Sequence, residues 1–369
     1  MHKLQNYGAR VIPHVRIKNY LGNLRNFLLN NFTNRTIPYS AQIEITLRCN
    51  ANCPFCSVKT LPQSYVNHEM TTEQAKYIID QLAGIGVKSL SITGGEPTLR
   101  KDLPELVHYM GIEHNFINGI TSNGYLLPKV LPKLEGLDFI LTSLDYPTAE
   151  LHNKARGLNV FDKVIESIKI ANRMGIKVII STVVMNDNLH LLEDICELAK
   201  SLECPIELYP CEDIIWDISG TTYSVKDIHN IIPDVNSWAN KIRDLRKHYK
   251  NILTEPVSIS IIEKGGFGGN PKHQNILRCH VAETYMFVRH DGTIDYPCKI
   301  HPVKSYNVLN HSLSTIHTST EVREIMKVHD NYDFCDGCRL GCAIMSSIPT
   351  RLRTLYSKYI KGYLVGNLR

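Results

Sequence analysis

Short apolar runs alternate with segments of helical period from residue 41 to residue 211, and this rhythm confines the chain to few folds. AQIEITL (41–47), VKSLSI (87–92), FINGIT (116–121), FILTSL (139–144), IKVIISTVV (176–184) and PIELY (205–209) are short and rich in β-branched residues, which predicts strands. Between them, 71–84, 102–111, 127–134, 161–174 and 188–202 read as helices. Thr71 with Gln74 three residues on has the spacing of a capping box. Val164, Ile165, Ile168 and Ala171 share one face of the helix over 161–174. Strand–helix steps of roughly 30 residues predict an α/β fold with a parallel sheet and helices outside it. Periodicity leaves open an open doubly wound sheet or a partial barrel.

After Cys211 the rhythm breaks. Residues 228–249 read as one longer helix and 256–262 as a strand, followed by a glycine-rich loop over 263–271. Residues 285–298 read as a hairpin turning at Asp291-Gly292. The expected division is a basic N-terminal segment (1–40), an α/β core (41–250), a smaller α+β domain (251–348) and a basic tail (349–369). No run of about 18 apolar residues predicts a membrane span. No signal-peptide pattern opens the chain, so a cytoplasmic location is expected.

The 11 cysteines are more than packing needs in a compartment where disulfides are rare. Cys49, Cys53 and Cys56 form one tight group, and Cys335, Cys338 and Cys342 another, with Cys279 and Cys298 as spaced partners. Such spacing points to metal ligation. Three thiolates on one loop can hold three irons of a [4Fe–4S] cluster and leave the fourth open, whereas full ligation takes four. A structural zinc ion also wants four ligands, and no nearby Cys or His supplies the fourth. Cys196 and Cys204 are expected in the core. Cys211, at the mouth of the sixth strand, is a candidate hydrogen donor. The 16 histidines show no metal-type pairing.

Cys-x3-Cys-x2-Cys after a first strand, with the aromatic Phe55 before the last cysteine, resembles the radical SAM superfamily. The resemblance continues through 41–211. Gly94-Gly95-Glu96-Pro97 follows the second strand and is similar to the family's GGEP segment. Thr121-Ser122-Asn123-Gly124 ends the third strand, Ser143-Leu144-Asp145 ends the fourth, Arg156-Gly157 follows, and Thr182 lies late in the fifth. All sit at carboxyl ends of parallel strands, where ligands bind in such sheets. The resemblance implies a partial (β/α)6 barrel. It implies a [4Fe–4S] cluster on Cys49, Cys53 and Cys56 whose open iron binds S-adenosylmethionine. Reductive cleavage then gives a 5′-deoxyadenosyl radical that abstracts hydrogen from a substrate. The cofactor contacts implied are Phe55, Gly94, Gly95, Glu96, Ser122, Asn123, Ser143, Asp145, Arg156 and Thr182. Ser122, Ser143 and Arg156 are the candidates for ribose and carboxylate. An electron donor such as ferredoxin or flavodoxin is implied as partner.

The second cysteine group resembles the family's C-terminal extension called twitch or, when longer, SPASM. Here Cys279 is followed by twelve residues, Gly292, five residues and Cys298. Two fully ligated auxiliary clusters would need about eight thiolates. Cys279, Cys298, Cys335, Cys338 and Cys342 are five, so one auxiliary [4Fe–4S] cluster on four of them is expected, with zinc as the alternative.

The net charge of +5 hides an uneven layout. Residues 1–36 hold six basic residues and no acid, residues 349–369 hold five and no acid, and the body between is acidic by six. Val15, Ile17, Tyr20, Leu21, Leu24, Phe27 and Leu28 recur at helical spacing over 14–31. Basic amphipathic ends suit an anionic membrane surface at its inner face; nucleic acid is a weaker partner, and a solvated cap under the barrel is the plain alternative. The expected substrate is a small molecule or lipid head group. A peptide competes, although no separate peptide-recognition segment precedes residue 41. A zinc-stabilised binding protein without redox chemistry is the reading from another class.

Overall fold

The computed structural model describes residues 17–33, 36–218, 220–267, 279–328 and 331–347. Six parallel strands form its centre: β1 (Ser40–Thr46), β2 (Ser89–Gly94), β3 (Ile117–Ser122), β4 (Phe139–Ser143), β5 (Lys177–Val184) and β6 (Ile206–Pro210). They neighbour one another in chain order. A doubly wound sheet reverses its order partway, so the continuous order makes this a partial (β/α)6 barrel. Ala41, Ile43, Leu90, Ile92, Ile120, Ile140, Ile180 and Leu208 are buried beneath the helices. The intervening Gln42, Ser91, Thr93, Ser143, Ser181 and Tyr209 are half-buried on the concave face.

The helices fall where the periodicity predicts, with local exceptions. Helix α1 is Ile17–Phe32; residues 14–16 of its expected span lie outside the described residues. Helix α2 (Thr72–Gly84) opens with the capping box: Thr71 Oγ1 accepts from the Gln74 amide and Gln74 Oε1 from the Thr71 amide. Helix α3 (Leu103–His108) runs on into a π turn at Tyr109–Glu113. Residues 127–134 form one helical turn (Leu127–Val130) and a 3₁₀ turn. Helices α4 (Ala149–Arg156), α5 (Phe161–Met174) and α6 (Leu192–Ser201) follow, and α5 buries Val164, Ile168 and Ala171.

Two expectations need correction. Residues 228–249 are not one helix: a 3₁₀ turn (Ile228–Asn230) is cut off before Pro233, and α7 (Val235–His248) starts anew where Asp234 Oδ2 caps the Ser237 amide at 2.8 Å. Residues 256–262 are a helix, α8 (Pro256–Glu263), not a strand. Three isoleucines suggested a strand, but Pro256 sits in the first turn, where a missing N–H costs nothing. Ser258, Ile259, Ile261 and Ile262 are buried there, and the helix packs against α7.

A short separate hairpin, β7 (Trp216–Ile218) and β8 (Thr221–Tyr223), leaves the end of β6. The hairpin at Asp291-Gly292 forms as the sequence predicts. β9 (Tyr285–Val288) and β10 (Thr293–Tyr296) turn through Gly292, whose φ of +84° suits glycine, and β11 (Lys304–Asn307) joins β10. β9 also pairs in parallel with β1, from Ser40↔Tyr285 to Ile43↔Val288, so one nine-stranded sheet runs from β11 to β6. Helix α9 (Gly341–Ser347) bridges the open side. At one end Gly341 lies against the Tyr209 ring of β6, and at the other the Thr284 hydroxyl donates to Ser346 O at 3.2 Å. Among the described residues no helix is long and apolar enough to cross a membrane. The tail over 349–369 lies outside the described residues.

Candidate functional site

The loop leaving β1 carries Cys49, exposed, Cys53, buried, and Cys56, half-buried. Its shape is imposed by neighbouring strand ends. The Asn52 amide donates to Arg156 O at 2.8 Å, and Asn123 Nδ2 donates to Asn50 Oδ1 at 2.8 Å while standing 3.9 Å from Cys49 Sγ. Arg156 Nη1 lies 3.7 Å from Cys53 Sγ, and its guanidinium lies 5.4 Å from the centre of the Phe55 ring. Trp216 Nε1 donates to Ser57 Oγ at 2.9 Å, so the β7–β8 hairpin braces the loop's far end.

Burial pushes the Cys49 thiol up to about 11, and nearby Glu96, Cys53 and Cys56 add to this. Burial also raises Cys53, with Arg156 pulling the other way. Two thiols raised in this way ionise together only against strong positive charge. A donor set of this kind fits a polynuclear iron site, whose charge supplies the compensation.

The glycines of the GGEP segment answer a packing need. A Cβ on Gly95 would sit 2.5 Å from Leu47 O and collide with Arg48 O; one on Gly94, at φ +149°, would collide with Thr46 O. The Gly95 amide donates to Thr46 O at 2.7 Å and the Glu96 amide to Arg48 O at 2.8 Å, tying β2 to the cysteine loop. Glu96 is fully buried. Its Oε1 accepts from the Thr98 amide, Thr98 Oγ1 and Ser122 Oγ, and its Oε2 from the Asn123 amide at 2.7 Å. Burial raises this carboxyl and those four donors oppose it.

Asp145 and Arg156 form a second buried unit, Arg156 Nη2 lying 2.5 Å from Asp145 Oδ2. Asp145 Oδ1 accepts from the Val183 amide at 3.0 Å. Burial lifts the Asp145 carboxyl above the usual range, and Arg156 and that amide pull it part of the way back. Thr182 is buried, donating to Leu144 O at 2.7 Å. Ser143 stays half-buried on the concave face. The structure therefore gathers Cys49, Cys53, Cys56, Phe55, Glu96, Ser122, Asn123, Asp145 and Arg156 at one strand end. Ser122 and Thr182 commit their hydroxyls to the protein frame.

Several frame residues carried no signal in the sequence. Asn50 orients Asn123. His152, driven down to about 3 by burial and then by Arg156, accepts from the Asp145 amide with Nδ1 at 3.2 Å. Asn188 Nδ2 donates to Asp145 O at 3.0 Å. Asn50 and Asn188 are lone polar residues whose contacts with Asn123 and Asp145 span tens of positions. Cys196 and Cys204 are buried in the core as expected. Cys211 is buried as well and packs with Tyr146, Met185, Val225 and Ile228. Its neighbour Glu212 is pushed up to about 7 by burial, against the pull of Arg339.

The second thiol set lines one hollow. Cys279 and Cys298 flank the hairpin, and Cys335, Cys338 and Cys342 come from the loop and first turn leading into α9. Phe267, Met286, Phe287, Ile294 and Leu340 make its walls apolar. The Phe267 amide donates to Cys338 O at 2.7 Å and the Gly337 amide to Phe267 O at 2.8 Å, fixing the Cys335–Cys338 turn. Burial raises Cys279 and pushes Cys338 up to about 12, with the other thiols adding to both. Cys342 follows Gly341, which lies against the Tyr209 ring of β6, and Tyr285, which also lines the hollow, donates to Gln42 Oε1 on the concave face at 2.8 Å. Among the described residues no three Cys, His, Asp or Glu side chains converge tightly enough for a single metal ion; these thiols surround a space instead.

Residues 43–199 match the family model of the radical SAM superfamily, and residues 279–339 match SPASM, an iron–sulfur cluster-binding domain. A probable GTP 3',8-cyclase of Methanococcus aeolicus is 30% identical over 242 residues, covering 63% of this chain and 79% of that protein. An AdoMet-dependent heme synthase of Methanosarcina barkeri is 34% identical over 166 residues, 43% of this chain and 46% of its own length. A PqqA peptide cyclase of Bradyrhizobium diazoefficiens is 33% identical over 170 residues, 45% of this chain and 44% of its own length. The chain thus spans less than half the length of the last two. SuiB of Streptococcus suis, solved with its precursor peptide SuiA, shares the fold with a TM-score of 0.62 at 17% identity, over 89% of this chain and 76% of that one. The chain belongs to the radical SAM superfamily, and its second thiol set lies in a SPASM iron–sulfur domain. The cofactors are those of that class: S-adenosylmethionine with a [4Fe–4S] cluster, and an auxiliary iron–sulfur cluster.

Proposed function

We propose that this chain uses S-adenosylmethionine to begin radical chemistry on a peptide held in the barrel. One observation carries the reading: Tyr285 lines the five-thiol hollow and donates to Gln42 on the concave face of the barrel whose first strand leads into the cysteine trio. Two redox sites beside one cavity suit a reaction that both generates and quenches a substrate radical. The PqqA peptide cyclase and a mycofactocin maturase of Mycolicibacterium smegmatis, 34% identical over 162 residues, support a peptide. The GTP cyclase, matched over the larger share of its length, favours a small molecule as the second reading. Neither supports a lipid head group.

In this reading Cys49, Cys53 and Cys56 hold the first cluster, and four of Cys279, Cys298, Cys335, Cys338 and Cys342 hold the auxiliary one. Residues 41–250 and 251–348 are the two functional parts. When bound, the cofactors supply an electron and a carbon radical able to take hydrogen from an unactivated C–H bond. The chain's residues position and shield. Arg156 places positive charge beside Cys53, and Asn123 presents an amide to Cys49. Glu96 is a positioning residue whose carboxylate ties the end of β2 to Ser122 and Asn123 at the end of β3; Ser143 remains open for a ligand contact. Glu212, titrating near neutrality at the mouth, can exchange a proton with substrate. A ferredoxin or flavodoxin in a reducing cytoplasm completes the reading.

The test is anaerobic. Purified protein is expected to hold about eight irons, falling to about four in the Cys49→Ala/Cys53→Ala/Cys56→Ala variant. Wild type with dithionite and S-adenosylmethionine is expected to release 5′-deoxyadenosine. Incubation with peptides encoded beside the gene, and separately with GTP, then assigns the substrate by mass. Undiminished 5′-deoxyadenosine from the triple variant refutes the first-site assignment. Turnover of GTP but of no peptide refutes the peptide.

A further inference from the structure

Helix α1 lies against the protein with the wrong face. Asn19, Asn26 and Asn30 are buried, while Leu21, Leu24, Leu28 and Phe32 are 59%, 53%, 46% and 71% exposed. At 100° per residue the asparagines cluster on one side and the leucines and phenylalanine on the opposite side. The inward contacts are specific. Asn19 donates to Asn115 O, Asn26 Nδ2 to Gly86 O at 2.9 Å, and Asn30 exchanges two 2.8 Å hydrogen bonds with Ile37. Gly22 lets the helix approach the Lys88 stem. A helix seated through amides, with its apolar stripe turned outward, is built to offer that stripe to something else.

The contact points locate the surface. Ile37, Gly86 and Asn115 shortly precede β1, β2 and β3, so α1 crosses the barrel end opposite the cysteine loops. Ile112, 50% exposed, lies on the turn just ahead of Asn115. The last described residues come to the same end. Ser346 O accepts from Thr284 Oγ1, and Thr284 O accepts from the Tyr39 amide at 2.9 Å. The chain continues from there into 349–369, with five basic residues and no acid. Residues 1–36, which include α1 and its exposed Arg25, add six basic residues and again no acid. The exposed apolar stripe thus lies at the end where the described chain begins at Ile17 and stops at Ser347, and the sequence over 1–36 and 349–369 is basic without an acid while the body between them is acidic.

We propose that this end docks on an anionic lipid bilayer, with the α1 stripe entering the interface and the barrel mouth facing away. Apolar insertion and basic attraction act together in such docking, each too weak alone for stable attachment. The proposal is independent of which substrate the barrel takes.

The iron-loaded full chain is to be floated with vesicles of phosphatidylcholine alone and with an equimolar mixture of phosphatidylcholine and phosphatidylglycerol. Binding to the mixed vesicles is expected to exceed that to the neutral ones by roughly tenfold and to fall in high salt. Leu24→Gln/Leu28→Gln is expected to lower it about tenfold while leaving the circular dichroism and cluster absorbance unchanged. In a separate Phe32→Trp variant, which needs no loss of the stripe, the indole fluorescence is expected to be quenched by brominated lipid in mixed vesicles. No binding to mixed vesicles, or equal binding by the double glutamine variant with no quenching in Phe32→Trp, overturns the proposal. Self-association lost in the double glutamine variant, without flotation of wild type, also overturns it and makes the stripe a contact between copies.

Discussion

Replacing Arg156 with methionine isolates the most consequential buried charge in the molecule. The substitution keeps a good helix former at the end of α4 and removes the cation 2.5 Å from Asp145. Breaking a buried pair by deleting one partner typically costs about 3–5 kcal/mol, because the remaining charge is stranded. Asp145 is fully buried, and burial already raises its carboxyl. Without Arg156 it escapes by keeping its proton. The unfolded chain ionises that group near pH 3.9, so each further pH unit costs the variant about 1.4 kcal/mol until the folded carboxyl also ionises. The sign is set by a raised folded pKa: stability is fullest at low pH and is lost as pH rises. As pH rises the variant should therefore lose stability faster than wild type, by up to about 1.4 kcal/mol for each pH unit in which its folded Asp145 alone keeps the proton. Anaerobic melts of the iron-loaded protein across a pH series measure it. Arg156→Met/Asp145→Asn should recover most of the loss and abolish the added slope. A single variant with the wild-type pH slope, or a double variant no more stable than the single, refutes the reasoning.

Two further substitutions test the frame. Gly95→Ala must push its new methyl against Leu47 O and Arg48 O, which should cost about 1–3 kcal/mol and weaken S-adenosylmethionine binding by calorimetry; unchanged affinity and melting temperature would mean that the close approach is unimportant. Glu212→Gln removes a carboxyl pushed up to about 7 by burial. The wild-type carboxylate is progressively penalised between its unfolded pKa near 4.3 and its folded value, so the variant should match wild type at pH 4.5 and exceed it by about 3 kcal/mol at pH 8. Activity profiles should lose an inflection near neutrality, and an unaltered profile removes Glu212 from the proton inventory.

The barrel was legible because alternation, strand length and the Thr71–Gln74 cap all agree locally with the global fold. The cysteine spacings were legible for a similar reason: ligands of one cluster lie close in sequence. Where reading failed, a non-local contact decided. The isoleucines of 256–262 carry strand propensity, yet packing on α7 and Pro256 in the first turn make that segment α8. The apolar period of α1 left a membrane-facing stripe and a cap under the barrel both open, because nothing in the sequence tells that asparagines would meet the carbonyls of Gly86 and Asn115. The close approach of the GGEP glycines to the carbonyls of Thr46, Leu47 and Arg48 is likewise something only the folded chain reveals.

The parallel ladder from Ser40↔Tyr285 to Ile43↔Val288 makes the two cofactor-bearing halves parts of one girder rather than two blocks on a hinge. A fragment stopping at residue 250 would strip β1 of that neighbour and leave a raw border of unmet amides and carbonyls, an invitation to clumping. The spacing between the two redox centres is for the same reason a built-in dimension of the scaffold, tuned through side chains along the route and not by swinging one half against the other.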